Sequence, residues 1–201
     1  MNTTTQGVRY AEVERETGEV CVRVVVDLDG GTRRDISTGI GFFDHMLEQL
    51  AFHGQVDLGI QAEGDLPIDD HHTVEEVGGA LGEAIRDAIG VSHIARFASN
   101  HTPKDDALIL AAVDISGRGQ LHYDVPFTRE RIGGLSTEAV REFFQAFAAT
   151  AGLTLHLRKE AGLNDHHVCE ALFKGVGLAL LAATRGTERR GPASTRSLIN
   201  S

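Results

Sequence analysis

One segment of the sequence occurs twice, and this repeat is the feature that most constrains the fold. It begins at Gly64 as GDLPIDDHHTVEEVGGALGEA and again at Gly162 as GLNDHHVCEALFKGVGLAL. Both copies run from a polar loop through Asp-His-His to a glutamate and then into residues rich in Gly, Ala and Leu. Self-similarity of this kind indicates an internal duplication. We therefore expect two similar α+β halves that pack as a pseudo-symmetric pair.

Hydrophobic periodicity predicts the same order of elements in both halves. In the first half we expect strands over residues 8–14 and 19–28, a helix over 42–52, a strand over 55–61 and a helix over 74–89. In the second half we expect strands over 107–116 and 120–125, a helix over 137–150, a strand over 153–159 and a helix over 166–183. The predicted limits are 1–92 and 93–184 for the two repeats and 185–201 for a polar C-terminal tail.

The composition fits a folded protein and argues against several partners. Hydrophobic residues make up 41% of the 201 positions and charged residues 24%, as in globular domains. A formal charge of −10 repels a nucleic-acid backbone, although one phosphate group needs only a few local cations. No apolar stretch approaches the roughly 20 residues that cross a bilayer. With two cysteines and a polar start that lacks a secretory signal, we expect a cytoplasmic protein without nucleic-acid or membrane partners.

The repeated His-His-x-x-Glu motif predicts metal binding. If a helix begins near the His pair, the first His and the Glu lie four residues apart on one face and can share an ion. The second His points about 100° away around the helix, so it needs a second ion. Pairing the motifs crosswise gives one ion His71, Glu75 and His167, and gives the other ion His166, Glu170 and His72.

Each ion then needs a further ligand, and the duplication suggests two. His45 lies in the first predicted helix, and Glu142 lies at the matching place in the second half. Imidazole and carboxylate ligands favour Mn, Fe, Co or Zn over Mg or Ca, which leaves the native metal open. An isolated His pair would indicate a surface or capping feature, but two copies in register favour metal. We interpret Asp70 and Asp165 as helix N-caps or as hydrogen-bond partners of the histidines.

Four segments give the sequence a specific resemblance to a known family. GFFDHMLEQLAFHG, DLPIDDHHTVEEVGGALGEA, DISGRG and NDHHVCEALFKGVGLAL are similar to the signature segments of the imidazoleglycerol-phosphate dehydratases. The resemblance implies two mixed sheets, each packed with two helices, in a ribosomal S5 domain 2-like pseudo-dimer. It implies a monofunctional carbon-oxygen hydro-lyase that converts D-erythro-imidazoleglycerol phosphate to imidazoleacetol phosphate in histidine biosynthesis. It also implies two Mn²⁺ ions per active site, with other divalent transition metals as alternatives, and a 24-subunit homo-oligomer with sites between subunits.

The resemblance assigns metal ligands and substrate contacts residue by residue. One ion takes His45, His72, His166 and Glu170, and the other takes His71, Glu75, Glu142 and His167. The implied substrate contacts are Glu19, His45, His53, Arg96, Asp106, Arg118 and Lys174, with Ser194, Thr195 and Arg196 in the tail. Many relatives have His where Glu142 stands, and the tail has STRS where the family usually has STKG.

The resemblance also suggests a mechanism. The imidazole ring of the substrate would bind between the two metals, which lower the pKa of its N–H and stabilise an imidazolate. The imidazolate would expel the neighbouring hydroxyl to form a diazafulvene, and loss of a proton from the chain would give an enol that becomes the ketone. Glu19 is the candidate for proton transfer, and an exposed strand charge is the alternative interpretation of this residue.

Three other classes of protein compete with this interpretation. A metallohydrolase would use paired cations to activate water, but the sequence contains no His-Glu-x-x-His segment. A ferritin-like metal-storage bundle needs four long helices and Glu-x-x-His spacing, whereas strands are predicted between the helices here. A purely structural duplicated domain would bind neither metal nor a phosphate ester.

Overall fold

The structure, a computed structural model, describes residues 9–90 and 93–187. The first half contains β1 (Tyr10–Glu16), β2 (Val20–Asp27), β3 (Arg34–Ser37), α1 (Gly41–Gly54), β4 (Asp57–Gly64) and α2 (His71–Ile89). The second half contains β5 (Phe97–Lys104), β6 (Ala107–Asp114), β7 (Gln120–Asp124), the short hairpin β8 (Arg131–Ile132) and β9 (Leu135–Ser136), α3 (Thr137–Ala151), β10 (Thr154–Ala161) and α4 (Asp165–Ala183). None of the four helices in the described residues is long and apolar enough to span a lipid bilayer.

The two large sheets have the same topology. Their strand orders are β1-β2-β4-β3 and β5-β6-β10-β7. In each sheet the first three strands are antiparallel, and the last pair, β4 with β3 or β10 with β7, is parallel. The predicted duplicated α+β fold with two mixed sheets is thereby confirmed. The exact boundary between the repeats, placed between residues 92 and 93, stays a prediction.

In each half, the sequence patterns missed one strand of the four-stranded sheet. They predicted β1 and β2 but not β3, and they predicted β6 and β7 but not β5. Both missed strands lie at the edge of their sheet. β3 has only four residues, and β5 reads FASNHTPK with a single fully buried residue. Because an edge strand tolerates polar residues and proline, such a segment carries little of the apolar alternation that marks a strand in sequence.

The helices of one half pack against the helices of the other. α1 lies along α4 and α2 lies along α3, while α2 also covers β1 and β2, and α4 covers β5 and β6. Phenylalanine rings meet where the helices converge. The ring of Phe143 in α3 contacts that of Phe43 in α1 edge-on, with 5.4 Å between ring centroids, and stacks on that of Phe173 in α4, with 5.3 Å between centroids. All three rings are fully buried. A shared core therefore joins the two repeats into one packed unit.

Both helix pairs touch at equivalent glycines. A Cβ atom added at Gly82 of α2 would lie 2.4 Å from the carbonyl oxygen of Phe147 in α3. A Cβ atom added at Gly177 of α4 would likewise lie 2.4 Å from the carbonyl oxygen of Leu50 in α1. The two glycines occupy the same position relative to their motifs. Only a residue without a side chain allows such close backbone contact. The duplication is therefore preserved where α2 packs on α3 and where α1 packs on α4.

The two cysteines differ in accessibility, which gives a simple test of the packing. Cys21 is exposed and Cys169 is buried. Burial raises the pKa of the Cys169 thiol far above its usual range, and the thiolate is the form that reacts. We expect iodoacetamide to modify Cys21 but not Cys169 in the native protein, and to modify both after denaturation, as measured by peptide mass spectrometry. Rapid native modification of Cys169 would contradict the described core.

Candidate metal centre

The two His-His-x-x-Glu motifs form the first turns of α2 and α4. A polar residue just before each helix accepts a hydrogen bond from the backbone N–H of the first motif histidine. Asp69 accepts from His71 and Asn164 accepts from His166, both at 3.0 Å. These bonds satisfy N–H groups that would otherwise lack a partner at a helix start. The motif histidines are therefore held in the helical register that the sequence predicts.

The aspartates that directly precede the His pairs have a different role from the predicted one. Asp70 is buried and accepts hydrogen bonds from the backbone N–H and the hydroxyl of Ser136, at 2.5 and 2.9 Å. Asp165 is also buried and accepts from the hydroxyl and the N–H of Thr128, both at 2.9 Å, and from the N–H of Arg129 at 2.8 Å. The prediction that they cap the helix or bond the histidines is wrong. Each carboxylate instead fastens the start of its helix to the segment between β7 and α3.

Three of the four metal ligands predicted for one ion meet across the α1–α4 contact. The ligand atoms of His45 in α1 and of His166 and Glu170 in α4 all lie within 4.8 Å of one another. His166 Nε2 is 3.5 Å from Glu170 Oε2, and the ring of Phe42 packs edge-on against His166 at 5.1 Å. Because metal bonds to such ligands are about 2.1 Å long, small movements would bring the three donors onto one ion. Two imidazoles and a carboxylate suit Mn, Fe, Co or Zn.

The equivalent set on the α2–α3 contact is less complete. His71 Nε2 lies 3.6 Å from Glu75 Oε2 on α2. Glu142, at the place in α3 that matches His45, forms an ion pair with Arg141 at 2.8 Å. Among the described residues, no group of three ligands within 4.8 Å includes His71, Glu75 or Glu142. The structure thus brings two of these predicted ligands together and leaves Glu142 outside the pair.

The second histidine of each motif binds a carboxylate from a loop. His72 Nδ1 lies 2.9 Å from Asp65 Oδ2 and 3.5 Å from Glu19 Oε2, and these three residues form the other group of potential ligands in the described chain. His167 Nδ1 lies 2.6 Å from Asp106 Oδ1. The hydrogen bond to Asp65 raises the pKa of His72. Within one chain, therefore, neither His72 nor His167 joins the ligand set assigned to it.

Asp65 was not among the residues predicted from sequence. It is the first residue after β4, in the loop that leads to α2, and its side chain is only 17% exposed. The only sequence signal was its position at the start of the repeated polar segment. An acidic residue in a polar loop is too common for that signal to distinguish it from a solvent-exposed charge.

The predicted substrate contact Lys174 is directly linked to the first ligand set. Its Nζ lies 2.5 Å from Glu170 Oε1, one helical turn away. Burial would raise the pKa of Glu170, but the hydrogen bond and charge of Lys174 outweigh it and the pKa is lowered. Burial and the charge of Lys174 lower the pKa of His53, which favours a neutral imidazole. His53, Glu170 and Lys174 thus influence one another electrostatically, and the substrate contacts assigned to His53 and Lys174 stay predictions.

The other predicted cations lie near the second sheet. Arg96 bonds both oxygens of Asp114, at 2.7 and 3.1 Å, and its guanidinium lies over the ring of Phe97 at 4.6 Å. Arg118 is exposed in the turn between β6 and β7. Backbone hydrogen bonds pair residues 93–96 with residues 183–187, so the chain leaves α4 beside Arg96. Ser194, Thr195 and Arg196 lie outside the described residues.

The sequence and the structure match one family of enzymes. A family model described as imidazoleglycerol-phosphate dehydratase matches residues 38–180. Imidazoleglycerol-phosphate dehydratases of Cereibacter sphaeroides and Brucella suis are each 50% identical, over 95% and 94% of this chain and 100% and 95% of their own lengths. The crystal structure of the Staphylococcus aureus enzyme matches with a TM-score of 0.81 and 34% identity, covering 89% of this chain and 99% of that one. The Pyrococcus furiosus enzyme, in complex with (S)-C348, matches with a TM-score of 0.80 and 35% identity, covering 90% and 98%.

Proposed function

Because the chain belongs to the imidazoleglycerol-phosphate dehydratase family, a family of lyases in histidine biosynthesis, we propose that it dehydrates D-erythro-imidazoleglycerol phosphate in a metal-dependent reaction. The observation that carries the metal dependence is the convergence of His45, His166 and Glu170 from two helices. Imidazole and carboxylate donors in this combination suit Mn²⁺, with Fe, Co and Zn as alternatives. We assign a second ion to the equivalent pair His71 and Glu75, with Glu142 or a water as a further ligand.

We further propose that other copies of the chain complete both metal sites. Each ligand set lacks one imidazole, and His72 and His167, the predicted donors, lie elsewhere in the same chain beside loop carboxylates. An exposed apolar side chain stands three residues before each motif: Ile68 is 75% exposed and Leu163 is 88% exposed. The two exposed side chains lie at equivalent places beside the incomplete ligand sets, where contact with another copy would bury them. This arrangement supports a homo-oligomer, which we expect to have 24 subunits, with active sites at subunit contacts.

The chain's own residues suggest how substrate would be held. When bound, the metals would supply Lewis-acid stabilisation of a deprotonated imidazole ring. Glu170 would hold its place through the ion pair with Lys174, and the Lys174 ammonium would lie close enough to attract the substrate phosphate. Arg96, Arg118 and Arg196 are the other proposed phosphate contacts, and Ser194 and Thr195 are proposed as further substrate contacts. Only the second motif has a lysine at this position, since Gly79 stands at the equivalent place in α2, so we assign the phosphate to the Lys174 side.

Glu19 is the proposed proton-transfer residue. Its carboxylate is exposed at the end of the β1–β2 hairpin and lies 3.5 Å from His72 Nδ1, beyond hydrogen-bond distance. Its contact with His72 is a long ion pair and not a short hydrogen bond, which leaves the carboxylate able to accept a proton from the substrate chain. Loss of the hydroxyl through a diazafulvene stays a prediction. So do the cytoplasmic location and the absence of nucleic-acid and membrane partners.

Metal dependence can be tested by stripping and restoring the ions. We expect the purified protein to contain two transition ions per chain by elemental analysis and to form imidazoleacetol phosphate, measured by its alkali-developed absorbance. Removal of the ions by a chelator should stop the reaction, and Mn²⁺ should restore it. Full activity in a protein shown to be free of metal would contradict the proposal.

A further inference from the structure

We propose that Asp65 is a positioning residue that fixes the ring of His72 so that its Nε2 faces the metal, and that Asp106 does the same for His167. This role rests on the proposed metal sites. It adds a residue, Asp65, that neither the His-His-x-x-Glu motif nor the predicted ligand sets contain. It also gives Asp106, expected to contact substrate, a different function.

The geometry at His72 determines which ring nitrogen is available. Asp65 Oδ2 lies 2.9 Å from Nδ1, within hydrogen-bond distance, whereas Glu19 Oε2 lies 3.5 Å from the same atom. A carboxylate that accepts a hydrogen bond from Nδ1–H fixes the proton on that nitrogen and leaves the lone pair on Nε2. A neutral ring held in this way directs the lone pair of Nε2, which can bind a metal, in one fixed direction. Such partners also increase the basicity of the metal-binding nitrogen.

At His167 a carboxylate again binds Nδ1 and is held more firmly than Asp65, while Nε2 lies 3.4 Å from Asp105 Oδ2. Asp106 Oδ1 lies 2.6 Å from His167 Nδ1. The other oxygen, Oδ2, accepts hydrogen bonds from the backbone N–H groups of Leu163 and Asn164, at 2.7 and 3.1 Å. Both oxygens are therefore engaged within the protein, which favours positioning over substrate binding.

The two positioning carboxylates come from different places in the duplicated fold. Asp106 is the residue just before β6, and its counterpart just before β2 is Glu19. Asp65 follows Gly64, the first residue of the repeated segment, whereas Leu163 follows the matching Gly162 in the second half. Leu163 has no carboxylate, so in the second half the hairpin carboxylate of Asp106 contacts the histidine instead.

This difference between the halves has a consequence for Glu19. In the first half Asp65 already binds the Nδ1 of His72, so the hairpin carboxylate is not needed for that bond. The side chain of Glu19 is longer than that of Asp106 by one methylene. Its carboxylate lies 3.5 Å from His72 Nδ1, which is 0.6 Å further than the 2.9 Å of Asp65. The duplication thus leaves one of two equivalent hairpin carboxylates available for chemistry.

The test compares Mn²⁺ binding to metal-stripped wild type, Asp65→Ala, Asp65→Asn and a control, Glu63→Ala. Glu63 is an exposed carboxylate two residues earlier, on β4. The readout is a titration in which free Mn²⁺ is followed by electron paramagnetic resonance. We expect Asp65→Ala to weaken the binding of one Mn²⁺ ion per site by about 10–100-fold, the usual loss of affinity when a metal-bound histidine loses its hydrogen-bond partner. Asp65→Asn keeps an acceptor oxygen and should recover most of the loss, and Glu63→Ala should bind as wild type does.

Two results would overturn the positioning role. One is an Asp65→Ala protein that binds both ions as tightly as wild type, and the other is an Asp65→Asn protein that binds no better than Asp65→Ala. Circular dichroism of each stripped variant separates loss of fold from loss of affinity, and the asparagine variant, of nearly the same shape, provides the comparison if alanine prevents folding. A wild type that binds no Mn²⁺ would overturn the proposed metal sites themselves, and the orientation role with them.

Discussion

Replacing Glu170 with glutamine should reduce kcat/KM by about 10³-fold or more. Glu170 is the carboxylate of the His45–His166–Glu170 set, is nearly buried, and also binds Lys174 at 2.5 Å. The charge stabilisation that a bound metal supplies is worth several kcal/mol, and each loss of about 1.4 kcal/mol is tenfold in rate. Glutamine has nearly the same shape, so the packing of α4 against α1 should persist. Elemental analysis should show less than two ions per chain.

A matched control separates this effect from the general loss of a helical carboxylate. Glu83 lies two turns beyond Glu75 on α2 and makes a surface ion pair with Arg86 at 3.3 Å. Surface changes of this kind alter stability by less than about 0.5 kcal/mol, so Glu83→Gln should keep the activity and the metal content of the wild type. A Glu170→Gln enzyme with full metal content and near wild-type turnover would show that this carboxylate is not a ligand.

Gly177→Ala should lower the free energy of unfolding by about 1–3 kcal/mol, the typical effect of overpacking a core. The new Cβ would lie 2.4 Å from the carbonyl oxygen of Leu50 and 2.9 Å from the backbone nitrogen of Gly54. Backbone atoms cannot rotate away, so α1 and α4 would have to move apart. Each kcal/mol lowers the Tm by about 2–4 °C in a chain of this length. Thermal unfolding followed by circular dichroism measures the shift.

The same substitution at Gly41 provides the comparison. Gly41 is the first residue of α1, and an added Cβ has no neighbouring atom within 4 Å in the described structure. Alanine favours a helix over glycine by up to about 1 kcal/mol, so Gly41→Ala should leave the Tm unchanged or raise it slightly. Equal Tm values for Gly177→Ala and wild type would mean that the α1–α4 contact is looser than described.

Local spacing made much of the fold and of the first ligand set predictable. His166 and Glu170 meet because residues four apart share a helix face, and this geometry follows from the sequence alone. His45 could be added because the duplication places α1 and α3 at matching positions. These relations depend on helical periodicity, which the apolar residues of α1 to α4 display clearly.

Contacts between loops could not be predicted in the same way. Asp65 binds His72 and Asp106 binds His167 only because strands bring two loops beside the helix starts, and no periodic pattern encodes that approach. Asp70 illustrates the opposite error: its position before a helix suggested a cap, but the fold offers it Ser136 from the other half. A buried carboxylate takes whichever donors tertiary packing supplies.

The crosswise helix packing bears on how such a chain arose. α1 meets α4 and α2 meets α3, with equivalent glycines at equivalent carbonyl groups. Two copies of a single repeat, related by a two-fold axis, would make the same pair of contacts in a self-complementary interface. A dimer of an ancestral protein of half this length would thus have brought together the equivalents of His45, His166 and Glu170. Fusion of the two genes then allowed each copy to change alone, which would explain how one hairpin keeps a fixed aspartate while the other carries Glu19.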